Sequence, residues 1–419
     1  ILRMSASVVT SSSESLTEPA AAKQTWLWFA VMMGVVVIVS ALAWSQVQGT
    51  KMATDEMYHY GQIEIYLNGD YYQHPRLVTL PSYHVVMAVV AKVTGLTSLD
   101  AIRFLSMLIG LLVPMVVFAM LRDLPADLRA MRALAVFLIP TLFPLNFWVY
   151  TDPTSLLFVL AAMWATTSRR YFWAGLLAIG ATLVRQNNII WLGVCHAIGF
   201  VREEHWRFTF ASVKRYLAKT PAFLLGYALF AVFVVVNKGI AMGAAEAHPS
   251  FRLYTGNIAL AIVMALVLQL PMHLSRATDW GTRSSRWWAG AGGLALLVAA
   301  AHYLWFDPSN EWNQPAGYLN NALAWTASDP THLLISCVPL VLGVLALSVA
   351  RLRVSGLWMM YPATCLYLGS SWLITGRYSI VPLALLIVYT DQRPRWAEVA
   401  TVVLLATFCV LFYTHGFYI

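Results

Sequence analysis

Apolar runs long enough to cross a lipid bilayer recur along almost the whole chain, and no other feature restricts its fold as strongly. A helix needs roughly 20 apolar residues to cross the hydrocarbon core. The run from Trp26 to about Gln46 supplies that length and is followed by no convincing small-residue cleavage site, so it is read as an uncleaved first span. Of 419 residues, 59% are hydrophobic and 11% charged, against roughly 25% charged in an average soluble domain. With a mean hydropathy of +0.66, the chain lacks the polar exterior that a soluble fold requires. The expected class is an all-α polytopic membrane protein.

Residues 1–25, rich in Ser, Thr, Ala and Glu, read as a disordered cytoplasmic tail, with Met4 the expected natural start; residues 26–419 read as one transmembrane domain. Residues 47–100 form a long first loop. Its later part, Pro81 to Val93, is only about 13 residues long and carries Lys92, so it is expected to lie at the interface. Further spans are expected at about 101–121, 132–149, 153–167, 171–184, 189–201, 221–236, 256–274, 287–305, 331–350, 354–374, 377–390 and 397–417, about thirteen with the first. Alternate loops then hold 19 of the 27 lysines and arginines on one side, together with the tail. Counting Pro81 to Val93 as a full crossing would invert every later loop and put most of that charge opposite the N-terminal tail, so the positive-inside rule places the tail in the cytoplasm and the first loop outside.

The net charge of +8 is spent on those loops, which argues against nucleic acid as a partner. Cys195, Cys337, Cys365 and Cys409 sit in apolar stretches without a CxxC, so neither disulfides nor zinc are indicated. The basic segment 202–219 is expected to lie amphipathically on the inner leaflet, held by anionic lipid. Gly290, Gly292 and Gly293 make no phosphate loop and are read as small residues that let helices approach.

The unusual polar residues gather on the outer side. They are Asp55-Glu56, Tyr150-Thr151-Asp152, Arg185-Gln186-Asn187-Asn188, Asn237-Lys238, Glu246, His248, the Asp307–Asn321 loop with Glu311, and Gly376-Arg377-Tyr378. Span centres hold almost no ionisable groups, which describes a cavity open to one face. A transporter, the alternative, should show midplane charges and a structural repeat. The Asp55-Glu56 pair can bind a cation, act as a general base or merely solvate a loop. Around it, Tyr58, His59, Gln62, Tyr66, Asn68 and Tyr72 are side chains of the kind that hold carbohydrate. Arg185 and Arg377 read either as snorkelling arginines or as clamps on a shared anion. The ten histidines show no HExxH spacing, which leaves hydrolase and metalloenzyme readings weak.

Several segments, in order, resemble the GT-C superfamily of membrane glycosyltransferases, and within it the dolichyl-phosphate-glucose-dependent alpha-1,2-glucosyltransferases of N-glycan precursor assembly. They are DEMYHYGQIEIYLNGDYY with RLVTLPSYHVV, then IPTLFPLNFWVYTDPTSLLF, VRQNNIIW, FVVVNKGIAMG and GRYSIVP, covering Asp55 to Pro382. The Asp307–Asn321 loop departs from the family pattern, and so does Tyr72-Gln73-His74-Pro75. A bias of 21 Arg to 6 Lys suggests a GC-rich genome and a bacterial inner membrane, the endoplasmic reticulum being the other candidate.

The resemblance implies inverting transfer of a sugar, glucose in an alpha-1,2 linkage, from a polyprenyl or dolichyl monophosphate to a lipid-linked oligosaccharide or glycan outside the cytoplasm. It implies Asp55 as the catalytic base, with Glu56 and His59 orienting the base or the acceptor, and Tyr150 and Asp152 on the acceptor side. Arg185 and Arg377 would hold the donor phosphate, with Gln186, Asn187, Asn188 and Tyr378 at the phosphate or sugar. No cofactor is required. A divalent ion held by Asp55, Glu56 and Asp152 stays open. The partners implied are the donor, the acceptor and membrane lipids.

Overall fold

The computed structural model describes residues 18–242, 253–309, 313 and 318–415. Glu246, His248 and Glu311 lie outside the described residues. Secondary structure among the described residues is helical, with one isolated backbone bridge between Leu352 and Thr390.

Helix α1 (Glu18–Val47) begins ahead of the expected first span, and the first loop then folds into two short helices, α2 (Glu56–Leu67) and α3 (Ser82–Thr94). The 13 residues of α3 rise only about 20 Å. One face buries Tyr83, His84, Met87, Ala88 and Ala91, while Val85, Val86, Val89, Val90 and Val93 are exposed. An exposed valine stripe on a helix too short to span suits an interfacial position.

Helix α4 (Leu99–Met120) follows as expected, but α5 (Ala126–Phe137) ends well before residue 149. Pro140 and Pro144 lack the backbone donors that a continuing helix needs, so the chain turns irregularly up to α6 (Asp152–Thr167), with one 3-10 turn at Pro144–Asn146. Helices α7 (Tyr171–Val184) and α8 (Ile189–Glu204) complete a tight inner group with α6. These three have 14 to 16 residues and rise about 21–24 Å.

Within the basic segment 202–219 the helix is interrupted. Helix α8 stops at Glu204, and His205 and Trp206 take positive φ of 49° and 64°. Helix α9 (Phe210–Lys219) then starts on a Thr209–Ser212 capping box and meets α10 (Pro221–Asn237) at 84°. Arg215 pairs with Glu204 and Lys219 with Glu203, so part of the basic charge is folded back onto the end of α8.

Helix α11 (Gly256–Leu268) and α12 (Leu270–Leu274) divide the span expected at 256–274 just ahead of Pro271. They are followed by α13 (Ala277–Gly281), α14 (Ser285–Trp305), α15 (Tyr318–Ser328) and α16 (Pro330–Val349). The chain closes with α17 (Met360–Gly369), α18 (Ile380–Tyr389) and α19 (Arg395–His415).

Among the described residues five helices are individually long and apolar enough to cross a membrane: α1, α4, α14, α16 and α19, with α9 and α10 together a sixth if counted as one bent span. The chain is therefore a multi-pass membrane protein, but helix length alone does not carry the expected count of thirteen. Gly290, Gly292 and Gly293 also differ from expectation, because a Cβ at any of them would meet nothing within 4 Å. Close helix approach occurs instead at other glycines, among them Gly175, where a Cβ would stand 2.6 Å from the Ala222 Cβ of α10.

The loops expected to share the basic side meet at one end of the bundle. Arg132 pairs with Glu398 and donates to the Thr390 and Asp391 carbonyls, Arg276 and Arg393 both bind Asp391, Arg393 reaches Asp279, and Arg353 pairs with Asp123. Trp206 stacks on Trp358, bringing the end of α8 to the same place. Helices α6 and α7 run from this end to the opposite one, where Asp152 and Arg185 lie.

Candidate active site

At that opposite end α2 supplies the first carboxylates. Asp55 sits at the N-cap of α2 after Thr54, whose φ of 26° is a strained value for a β-branched residue. The turn separates the fates of two adjacent acids. Glu56 is fully buried, receiving Arg103 Nε at 2.8 Å and Nη2 at 2.7 Å together with the Ala53 and Val149 amides at 3.0 Å each. Arg103 also donates to the Val47, Thr50 and Lys51 carbonyls. Glu56 is thus fully occupied as a tie between the first loop, α4 and the segment carrying Tyr150, and it does not face the other site residues.

Asp55 points the other way and forms an ion pair with Arg377, whose Nη1 lies 2.7 Å from the carboxylate, with the Asp55 side chain 40% exposed and that of Arg377 21%. The Arg377 guanidinium lies 5.8 Å from the Tyr150 ring and 5.6 Å from that of Tyr378, an arrangement in which ring quadrupoles support the cation. Arg185 pairs with Asp152 and sits 5.7 Å from the same Tyr378 ring. Two arginine–aspartate pairs thus flank one tyrosine, with the Asp152 Oδ2 and Arg377 Nε atoms buried and unpartnered.

Arg377 reaches this position on a 3-10 turn, Gly376–Ser379, that precedes α18. The non-helical stretch before it is gripped by two asparagines. Asn257 donates to the Ser371 and Leu373 carbonyls and accepts from the Thr375 amide, and Asn313 accepts from Ile374 N at 3.0 Å. Asp152 starts α6, where the helix N-terminus favours a carboxylate.

His59 is buried one turn into α2, its ring 5.4 Å from Tyr150 and stacked on His84, with Nδ1 2.9 Å from the His84 Nε2. Burial, then the positive charges of Arg377 and Arg185, hold its pKa down to about 3, so it stays neutral. Burial raises the Tyr150 phenol to about 12, which keeps it a hydrogen-bonding hydroxyl.

The three amides after Arg185 diverge. Gln186 donates to the Val78 carbonyl at 2.7 Å and leaves Oε1 unpartnered, Asn187 lies beside Tyr367, and Asn188 donates to Ser155 Oγ and the Ala181 carbonyl deep between helices. Asp55, Glu56 and Asp152 do not converge, and among the described residues no three His, Cys, Asp or Glu side chains are placed to hold a metal ion. Arg103, His84 and Asn257 stand in no motif that marks them as site residues in the sequence, and Asn313 is one of several asparagines in the Asp307–Asn321 loop. Arg103 carried a usable signal, because an arginine one turn inside an apolar span must be paired.

Comparison with known proteins gives the same direction. The model of the DIE2/ALG10 family matches residues 49–207. Three curated relatives bear the name Dol-P-Glc:Glc(2)Man(9)GlcNAc(2)-PP-Dol alpha-1,2-glucosyltransferase. The Arabidopsis thaliana protein is 27% identical over 158 residues, covering 33% of this chain and 31% of its own. The Mus musculus protein is 25% identical and the Homo sapiens protein 26%, each over 247 residues, 46% of this chain and 52% of theirs. The chain thus spans between about a third and a half of the length of these relatives. No solved structure matches it.

Proposed function

We propose that the chain is an inverting glycosyltransferase that moves a sugar from a polyprenyl or dolichyl monophosphate carrier to a lipid-linked glycan acceptor. One observation carries the reading: two arginines, each paired to an aspartate, converge on the Tyr150–Tyr378 face at one end of a membrane bundle. A sugar phosphodiester needs cations where its phosphate gains charge and a carboxylate where the acceptor loses its proton. The similarity to named alpha-1,2-glucosyltransferases supports glucose as the sugar and alpha-1,2 as the linkage.

In the reaction the acceptor oxygen bonds the anomeric carbon while the bond from that carbon to the phosphate oxygen breaks. The acceptor proton passes to Asp55, and the electron pair of the broken bond leaves on the carrier phosphate, opposed by Arg377 and Arg185. Attack opposite the departing phosphate inverts the centre, so an α linkage calls for a β-linked donor. Glu56 acts at a distance, by holding the turn that aims Asp55 and the Val149 amide beside Tyr150. Neutral His59, Tyr150 and the free Gln186 oxygen are suited to sugar hydroxyls. No cofactor enters. The basic end faces the cytoplasm and the site faces outward, in a bacterial inner membrane or the endoplasmic reticulum.

The test is transfer by purified protein in detergent, with labelled polyprenyl-phosphate glucose and a lipid-linked oligosaccharide. Wild type should transfer glucose, and Asp55→Asn should lower the rate by at least about 10²-fold, the lower range for losing a general base. Undiminished transfer by Asp55→Asn moves the base elsewhere. Transfer only with another lipid-phosphate sugar discards glucose, and no transfer with any donor discards the enzyme.

A further inference from the structure

We propose that Asp55 has a second task, which rests on the glycosyltransferase reading: it occupies the phosphate seat on Arg377 and is displaced by the donor. A carboxylate seated on a guanidinium has its oxygens directed at that cation rather than at an acceptor hydroxyl. Asp55 in this structure is engaged in that way, with Arg377 Nη1 at 2.7 Å. The same cation cannot fully serve the carboxylate and an incoming phosphate.

Charge and mobility decide which acid yields. Arg185, Arg377, Asp55 and Asp152 sum to zero, so a monoanionic phosphodiester enters only by competing with a carboxylate for a cation. Asp152 lies in the first turn of α6 with a side chain 7% exposed. Asp55 sits at the edge of a turn with a side chain 40% exposed, so its exchange costs less. Arg377 itself is held still by the Tyr150 and Tyr378 rings and by the Asn257 and Asn313 grip on residues 371–375.

The exchange couples binding to chemistry. When the phosphate takes Arg377, Asp55 is released and free to turn toward the acceptor hydroxyl while the donor is in place. After transfer Asp55 carries the acceptor proton and no longer competes, so the carrier phosphate stays. Loss of that proton restores the carboxylate, which returns to Arg377 and expels the product. Donor therefore binds before acceptor, and the ion pair acts as an internal competitive anion.

Binding of farnesyl monophosphate to the full-length protein in detergent tests this, read by calorimetric titration with no acceptor present. Asp55→Asn should bind it about two- to fivefold more tightly than wild type, because the internal competitor is gone. Arg377→Gln should bind more weakly, and the double variant should show no gain over Arg377→Gln alone. Thermal unfolding of each variant establishes that it is folded. Equal or weaker binding by Asp55→Asn overturns the proposal, as does a gain that persists without Arg377 or the absence of binding by both wild type and Asp55→Asn. Failure of the enzyme reading has a different signature, since it appears as absent transfer in wild type whatever Asp55→Asn does to binding.

Discussion

At the scale of single residues, the neighbours Asp55 and Glu56 show how one covalent step separates an accessible carboxylate from a structural one. Glu56 and Arg103 are both fully buried. Removing one charge of such a pair strands the other in a low-dielectric site, so Glu56→Gln should destabilise the protein by about 3–5 kcal/mol. Asp55→Asn breaks a partly exposed pair and should cost under about 1 kcal/mol. Thermal unfolding in detergent separates the two, and equal losses would show that Glu56 is not the tie described. The sequence displayed both acids but not their difference, because the partner that distinguishes them, Arg103, lies 47 residues away. The stacked histidines add a pH dependence. Burial lowers the folded pKa of His59 to about 3 and that of His84 well below 6.5. Below about pH 6.5 the unfolded chain binds protons that the folded chain refuses. Stability should therefore be complete above that value and fall as pH drops through 6 to 5. Unfolding measured at pH 7.5 and pH 5.0 should show the loss, and His84→Gln should reduce it.

At the scale of helices, the apolar runs located most elements within a few residues, because a membrane span advertises itself by length and hydropathy. What they hid were the interruptions. The helix α5 ends at Phe137 and α11 at Leu268 for local reasons involving proline, yet an apolar sequence reads continuously across both breaks. Glycines were equally ambiguous, since packing depends on which neighbour arrives. A Cβ at Gly175 would stand 2.6 Å from the Ala222 Cβ and 2.8 Å from the Phe223 amide nitrogen, so α7 and α10 would have to separate. Gly175→Ala should cost about 1–3 kcal/mol as overpacking. Gly292→Ala, inside α14 with open space around it, should instead gain up to about 1 kcal/mol through helix propensity. Unfolding of the two single variants checks the contrast, and a neutral Gly175→Ala would mean that the helices give way easily.

At the scale of the molecule, charge was legible before any contact was known. The loops grouped by the positive-inside count meet physically at one end, with Arg132, Arg276, Arg353 and Arg393 in ion pairs that link residues over a hundred positions apart. The site residues gather at the other end, although their mutual pairing was not readable, since it requires α2, α6, α7 and the turn before α18 to be brought together. Sidedness then has a chemical consequence. Nucleotide-activated sugars do not cross a bilayer unaided because of their charge, so a transferase whose site opens on the far side is better served by a donor anchored in lipid. The exposed Tyr71, 89% accessible in the first loop, and Arg395, with a side chain 73% exposed at the basic end, report the two faces. With exposed Cys365 changed to serine, Tyr71→Cys in intact cells or sealed vesicles of known orientation should react with a membrane-impermeant maleimide from the extracytoplasmic side. Arg395→Cys should react only after permeabilisation. The opposite pattern would put the Asp55–Arg377 site in contact with cytoplasmic nucleotide sugars, and the argument for a lipid-phosphate donor would lose its topological support.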